Sequence, residues 1–387
     1  MVAAKMNIAN IEIEKKNVSG AIKLLKEIIS ENPLYEEAKA NLALAYKSIG
    51  QLERSLKIYK TLDFQGYWSH KARFNYASTL ITLESFREGW KNYEYRWKVF
   101  PNNIEAWPFT NIPNWKAERV KRLVLWREQG IGDDIIFLSL IPEVKEMCSS
   151  LSVYVDRRLQ SLCKRAMPEI NFVKDIEELQ NVECDYHLPL GSVPGLLRND
   201  ISDFDRTVTG YLKADPQRVE SIRNELNLDG KMVIGISWKS TNSLNQAKKS
   251  VHLRDMGRIF ADLDVVLVNL QYGDVEEEIR EFREETGIEV LQCTSVDNRE
   301  DLDGLAALIE VCDLVISTSN VTVHVAGALA KETWVFLPYS TIYYWLLERT
   351  DSIWYPSLTL YRQPTLDDWD SVYASLRENL GRKLIKR

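Results

Sequence analysis

Residues 313–338 read DLVISTSNVTVHVAGALAKETWVFLP, and this stretch decides the fold class. LVISTS (314–319) is a short apolar run, TWVFLP (333–338) is another, and a helical segment lies between them. Strand, polar turn, helix and strand in that order make a parallel βαβ unit. Ala326, Gly327 and Ala328 are small enough to let the helix lie close to the sheet. The first strand ends in Ser-Thr-Ser-Asn, and His324 falls in the first turn of the helix. Ser319, Asn320 and the N–H groups of the helix start therefore point at whatever occupies the strand end, which is an anion site. A histidine so placed has two readings, a structural residue or a ligand contact.

The same alternation extends on both sides. LVLW (123–126), LSVYV (151–155) and YHLPL (186–190) read as strands of one half. VIGISW (233–238), VVLVNL (265–270), LVISTS and TWVFLP read as strands of a second. Lys213 to Pro216 is the expected hinge, and the last helix, about 367–380, is expected to cross back to the first half. Two Rossmann-like halves imply a ligand in the cleft between their strand ends.

Three more turns carry polar residues at strand ends. LVLWREQGIGDDIIF (123–137) places Gly130, Gly132 and Asp133 between a strand and a helix. Glycine suits a backbone that approaches a ligand or takes positive φ. Asp133 either caps the helix or faces the cleft as a general base. WKSTNSLNQAKKSVHL (238–253) offers Trp238, Lys239, Ser240, Lys248 and Lys249. Lysine charge and hydroxyl donors suit a diphosphate, although a solvated polar loop has the same composition. In LQYGD, Gln271 could hydrogen-bond a base or a sugar.

The first hundred residues carry a different period. Steps of 34 give Ile8, Leu42, Tyr76; Ala9, Ala43, Ala77; Ala21, Ser55, Gly89; and Leu25, Tyr59, Tyr93. Large residues recur at large positions and small ones where two helices must approach. The register resembles the tetratricopeptide repeat, a helix-turn-helix unit of that length, with Pro33 closing the first repeat and Gly50 at a turn. The column Glu12, Tyr46, Leu80 opens on a carboxylate, and Tyr67 stands where a second Pro33 would fall; a generic helical bundle is the alternative. The aromatic run Trp90, Tyr93, Tyr95, Trp97 reads as core packing the last repeat onto the next part of the chain. PNNIEAWPFTNIPNW (101–115) marks a boundary by its prolines and asparagines. The expected domains are 1–100 (helical repeat), 101–214 (first Rossmann-like half) and 215–387 (second Rossmann-like half).

Composition narrows the function classes. A chain of 387 residues with 45% hydrophobic and 27% charged residues is an ordinary globular protein of two or three domains. A net charge of −7 argues against nucleic acid as partner. Cys148, Cys163, Cys184, Cys293 and Cys312 contain no CxxC pair and are expected to be reduced thiols. The start of the chain has no apolar signal core, and no run approaches a membrane span, so the expected location is the cytoplasm. Asp262-Leu-Asp264 precedes its strand and Asp301-Leu-Asp303 falls at a helix start, so neither is expected to hold a metal. GxGxxG, P-loop and GxSxG signatures are missing.

EQGIGDDIIF, DLVISTSNVTVHVAGALAKETWVFLP and DSIWYPSLTLYRQP resemble the hallmark segments of bacterial tetratricopeptide-repeat glycosyltransferases. That family joins a repeat domain to a GT-B unit similar to glycosyltransferase family 9, the heptosyltransferases, in a layout like that of O-linked N-acetylglucosamine transferases. The resemblance implies an α/β chain with an all-α repeat domain followed by two Rossmann-like domains. It implies a metal-independent transferase, without cofactor, that moves a sugar from a nucleotide-sugar donor to a protein or glycan acceptor recruited in part through the repeat groove. It makes Asp133 the base and places donor phosphate at Ser319, Asn320 and His324. Two segments depart from the family: Ser319-Asn320 stands where Asp-Thr is frequent, and Lys239 follows Trp238 where a small residue is usual. A catalytically inactive repeat scaffold that binds nucleotide or a partner protein is the first alternative, and a GT-B sugar epimerase the second.

Overall fold

The computed structural model describes residues 2–14, 17–62, 67–100, 109, 111–228, 230–240 and 249–386. Most of the boundary segment 101–115 and the loop 241–248, with Lys248, lie outside the described residues. Two compact units are present.

One unit comprises Met1–Ile104, Pro194–Phe204 and Tyr339–Glu348. Its helices pair as Val2–Glu14 with Val18–Glu31, Glu36–Ser48 with Leu52–Tyr59, and Tyr67–Thr82 with Phe86–Tyr93. The second helix of each pair begins 34 residues after the last, at Val18, Leu52 and Phe86. The turns between them repeat a single geometry. The N–H groups of Asn17, Gln51 and Ser85 donate to the carbonyls of Glu12, Tyr46 and Leu80 at 2.8, 2.9 and 2.9 Å, the six-to-one closure of a helix C-terminus. That closure needs a left-handed residue, supplied by Gly50 at φ 72° and by Glu84 at φ 60°.

Ala9, Ala43, Ala77, Ala21 and Ser55 are fully buried where the helices approach. At Gly89 a Cβ would stand 2.6 Å from Ile81 Cγ1, so only glycine fits. The outer column breaks at its first member, for Ile8 is 48% exposed while Leu42 and Tyr76 are buried. Trp90 and Tyr93 are core, but what covers them is distant in sequence. Trp90 Nε1–H donates to the Arg198 carbonyl at 2.8 Å, and the Tyr93 and Tyr343 hydroxyls meet at 3.1 Å. Tyr95 and Trp97 are half-buried, and Trp97 stacks on the Arg96 guanidinium.

The other unit comprises Glu105–Val193, Asp205–Pro338 and Arg349–Arg387 and holds two separate parallel sheets. The first contains β1 (Val120–Trp126), β2 (Cys148–Tyr154), β3 (Asn171–Val173) and β4 (Tyr186–Pro189), in the order β3-β2-β1-β4. The second contains β5 (Met232–Ser237), β6 (Val265–Asn269), β7 (Val290–Leu291), β8 (Leu314–Thr318), β9 (Thr333–Leu337) and β10 (Leu358–Arg362), in the order β10-β9-β8-β5-β6-β7. In each sheet the chain moves outward from its first strand, then returns to that strand's other side. The reversals, at β1/β4 and β5/β8, are where open α/β sheets leave a crevice beyond their strand ends.

The last helix, Trp369–Ile385, does not cross back as expected. Val372, Tyr373, Leu376 and Leu380 form an i, i+4 stripe that joins Met232, Met256 and Phe336 in the core of the second sheet. Arg377 ties it there by donating to the carbonyls of Arg258 and Ala261. The two sheets are linked by ions: Arg165 makes a bidentate pair with Asp303 at 2.7 and 2.8 Å, and Arg157 meets Glu300 at 3.0 Å. At the expected hinge, Asp215 caps the helix Pro216–Leu226.

Candidate functional site

After β1, the turn is set by its second aspartate. Asp134, 1% exposed, accepts from Arg127 Nε–H at 2.8 Å and from the Asp156 N–H at 3.2 Å. Burial pushes its carboxyl up to about 7 against the pull of Arg127. With Asp134 anchored inward, the N-cap of the helix Ile131–Leu138 falls on Gly130, at an ordinary φ of −72°. Asp133, half-buried, then sits in the first helical turn, where the helix dipole favours its negative charge. Gly132 serves a close approach between helices: a Cβ there would lie 3.0 Å from His324 Cδ2.

The turn after β5 is braced from inside. Gln271 Oε1 accepts from the N–H groups of Trp238 and Lys239, both at 2.9 Å, and from the Ser237 hydroxyl at 3.0 Å. Its amide nitrogen donates to the Tyr272 carbonyl. Trp238 is fully buried, and Glu278 takes both its indole N–H at 2.8 Å and the Lys239 ammonium at 2.7 Å. Ser240 is buried, and its N–H donates to Ser250 Oγ at 3.1 Å. Gln271, Trp238 and Lys239 thus hold the ends of β5 and β6 together.

After β8, Asn320 is the N-cap of the helix Val321–Ala328. Its Oδ1 accepts from the Thr322 N–H at 3.0 Å, and its Nδ2 donates to Ser237 Oγ at 2.7 Å and to the Lys239 carbonyl at 3.2 Å. Both amide hydrogens are committed within the fold. Ser319, beside it, is buried.

Lys249 completes the cluster. It is 6% exposed, and its ammonium makes no hydrogen bond or ion pair with the described residues. Burial pushes its pKa down to about 8, with the Asp133 charge acting in the opposite sense. His324 is buried too, its Nδ1 3.1 Å from the Tyr355 hydroxyl. Burial, reinforced by the Lys249 charge, lowers its pKa to about 3, so the ring is neutral at pH 7. The cationic group beside this neutral imidazole is Lys249.

Of the residues singled out in the sequence, Gly132, Asp133, Lys249 and His324 come together where the helices Ile131–Leu138 and Val321–Ala328 meet. Trp238, Lys239, Gln271 and Asn320 form the frame beneath. A cavity of about 480 Å³ opens past β6 and β7, lined by Gln271, Tyr272, Asp274 and Asn298 among others. Arg127, Asp134, Tyr211, Glu278 and Tyr355 were missed. Glu278 lies in a run of three glutamates that reads as a solvated helix face, whereas Tyr355 lies inside DSIWYPSLTLYRQP, whose WYP triplet was a usable signal.

No protein-family model matches the chain. Over 380 residues it is 29% identical to Protein FlbA of Caulobacter vibrioides, a match covering 92% of this chain. It spans 63% of that relative's length. Among solved structures, it is similar to a glycosyl transferase family 9 protein from Veillonella parvula, at 13% identity and a TM-score of 0.47, covering 68% of this chain and 91% of that one. Escherichia coli ADP-heptose lps heptosyltransferase II is similar at 13% identity and a TM-score of 0.44, over 68% and 99% of the two chains. A Thermobaculum terrenum O-GlcNAc transferase mutant aligns over 100% of this chain and 93% of its own, at 13% identity and a TM-score of 0.29. Among the described residues, no helix is long and apolar enough to cross a membrane.

Proposed function

We propose that this chain is a GT-B glycosyltransferase that moves a sugar from a nucleotide-sugar to a protein or glycan acceptor. Tetratricopeptide-type helical pairs would help recruit that acceptor. The observation that carries the reading is the meeting of two helix N-termini at the reversal points of two parallel sheets, with Asp133 and the buried Lys249 at the junction. Asp133 would take the proton of the acceptor hydroxyl as its oxygen bonds to the sugar and the bond to the diphosphate breaks. Helix N–H groups and Lys249 would stabilise the negative charge that grows on the leaving diphosphate. The polar cavity past β6 and β7 suits the nucleoside.

We also propose that no metal takes part. Asp301 caps its own helix and pairs with Arg218, Asp303 pairs with Arg165, and Asp264 pairs with Lys231 at 2.9 Å. These carboxylates already have cationic partners, and Lys249 can neutralise phosphate instead. The inactive-scaffold reading has one observation in its favour: Asn320, the second residue of the Ser319-Asn320 pair that stands where Asp-Thr is frequent in the family it resembles, is spent on capping and bracing.

The test is a panel of UDP-, GDP-, ADP-, CMP- and dTDP-sugars, read by thermal shift and by sugar transfer or donor hydrolysis in excess EDTA. Binding and turnover of one class are expected. Activity restored only by Mn²⁺ or Mg²⁺ would refute metal independence, and binding without turnover of any donor would favour the scaffold.

A further inference from the structure

The guanidinium of Arg158 has all three of its nitrogens in use. Nε–H and Nη2–H fork onto the Asp156 carboxylate at 2.9 and 3.0 Å, and Nη1–H donates to the Arg299 carbonyl at 3.1 Å. Asp156 stands in the first half, just past β2, and is itself held. Its N–H donates to Asp134 Oδ2 at 3.2 Å, and its Oδ1 also accepts from the Arg158 N–H at 3.0 Å. Arg299 stands in the second half, in the turn between β7 and the helix Leu302–Val311. Arg158 thus carries a bond from a fixed point of one sheet to a loop of the other.

That loop is a wall of the cavity past β6 and β7, which Asp297, Asn298 and Arg299 all line. Asp297 closes the turn: its Oδ1 accepts from the N–H groups of Arg299 and Glu300 at 2.8 and 3.1 Å, and its carbonyl from that of Asp301 at 2.9 Å. Asn298 Nδ2 ties the loop to its own sheet by donating to the Asn269 and Gln271 carbonyls, both at 3.2 Å. Arg158 and Arg157 tie it to the other sheet, and the two ties differ in worth. The Arg157 and Glu300 side chains are 81% and 50% exposed, so water screens their pair and it contributes little. Arg158 and Asp156 are 23% and 13% exposed, and the fork between them fixes the guanidinium before it reaches the carbonyl.

We propose that Arg158 is a positioning residue for the nucleoside: from the first half it holds the Asp297–Arg299 wall of the cavity in the second. The nucleoside part rests on the glycosyltransferase reading; the hold on the wall does not. A base seated against that wall meets a surface fixed from both halves, so nucleotide affinity depends on a residue that does not itself line the cavity. The halves stay joined without Arg158, because Arg165 and Asp303 pair separately at 2.7 and 2.8 Å.

The experiment compares the native protein with Arg158→Gln, Arg158→Lys and Arg157→Gln, all full length. Amide hydrogen exchange without ligand reads the wall. In Arg158→Gln the amides of Arg299, Glu300 and Asp301 should exchange roughly 2- to 10-fold faster, the worth of one hydrogen bond. Arg158→Lys keeps the charge without the fork and should match it, whereas Arg157→Gln should exchange like the native protein. Unchanged exchange in Arg158→Gln, or an equal rise in Arg157→Gln, would overturn the hold on the wall. Native exchange in Arg158→Lys would overturn its dependence on the fork.

Binding reads the nucleoside. UDP, GDP, ADP and dTDP are titrated into each protein, and inorganic diphosphate is measured by displacement. Arg158→Gln should weaken the preferred nucleoside diphosphate roughly 2- to 10-fold more than inorganic diphosphate, which has no base to seat. A general loosening of the fold would weaken both alike. Equal weakening, or none, would therefore overturn the positioning role. Binding of no nucleoside diphosphate by the native protein would sink the glycosyltransferase reading and the nucleoside role together, and leave the exchange result standing.

Discussion

Asp133→Asn separates chemistry from binding at the junction of the two helices. Asn has nearly the shape of Asp, so what changes is one charge in the first turn of the helix Ile131–Leu138. Its interaction with the helix dipole is worth about 0.3–1 kcal/mol, and the loss of its attraction to Lys249 adds to that, so a modest fall in stability is expected. Turnover should fall by ~10²–10⁴, the usual value of a general base. Lys249 supplies a second readout. Asp133 holds the Lys249 pKa up against burial, so without it that pKa drops below about 8. At pH 6 the lysine is charged in both proteins, and nucleoside diphosphate affinity should match. Near pH 8 the variant should already be losing affinity that the native protein keeps. Calorimetric titration at the two pH values, beside turnover at each, reads both effects. Equal turnover in the two proteins would remove the base assignment. A loss of turnover matched by the same loss of affinity at pH 6 would show that Asp133 serves binding alone.

Lys249→Met should stabilise the ligand-free protein at pH 7, by up to roughly 3 kcal/mol, because a group with a lowered folded pKa penalises the fold while it stays charged. That gain should fade as pH rises from about 8 toward 10.5, while diphosphate binding is lost; denaturant melts of both proteins across that range check it. Asn320→Asp keeps the cap but cannot donate to Ser237 or to the Lys239 carbonyl, so urea unfolding should show a loss of about 1–3 kcal/mol. Glu84→Gly removes a side chain from a left-handed position and should raise stability by about 1 kcal/mol. Gly50→Ala should do the reverse, its Cβ falling 2.5 Å from the Tyr339 ring.

The longer strands and the helical period were legible because each carries its own signal over several residues. β3 and β7 have three and two residues, too few for any periodicity to register. β10, LTLYR, alternates cleanly, but Pro356 just ahead of it gives the segment the look of a loop. At the candidate site, the strand ends announced themselves by glycines and amides against apolar runs. What those amides bond to was not legible. Gln271 and Asn320 spend themselves on Ser237, Trp238 and Lys239, more than thirty and eighty positions away, and a single sequence does not record such pairings. Tyr355 and His324 likewise meet across 31 positions. The aromatic face of Trp90 and Tyr93 read correctly as core, but its cover, at Arg198 and Tyr343, did not.

That cover sets an order of events during synthesis. The helical unit draws its last pieces from Pro194–Phe204 and Tyr339–Glu348, so its core cannot close when its own helices leave the ribosome. At ~5–20 residues per second, the partner of Tyr93 is made roughly 10–50 s after Tyr93 itself. Through that interval Trp90 and Tyr93 present an uncovered aromatic surface. The nascent chain is therefore a natural client for chaperones, and fragments ending near residue 100 should be sticky where the whole protein is not.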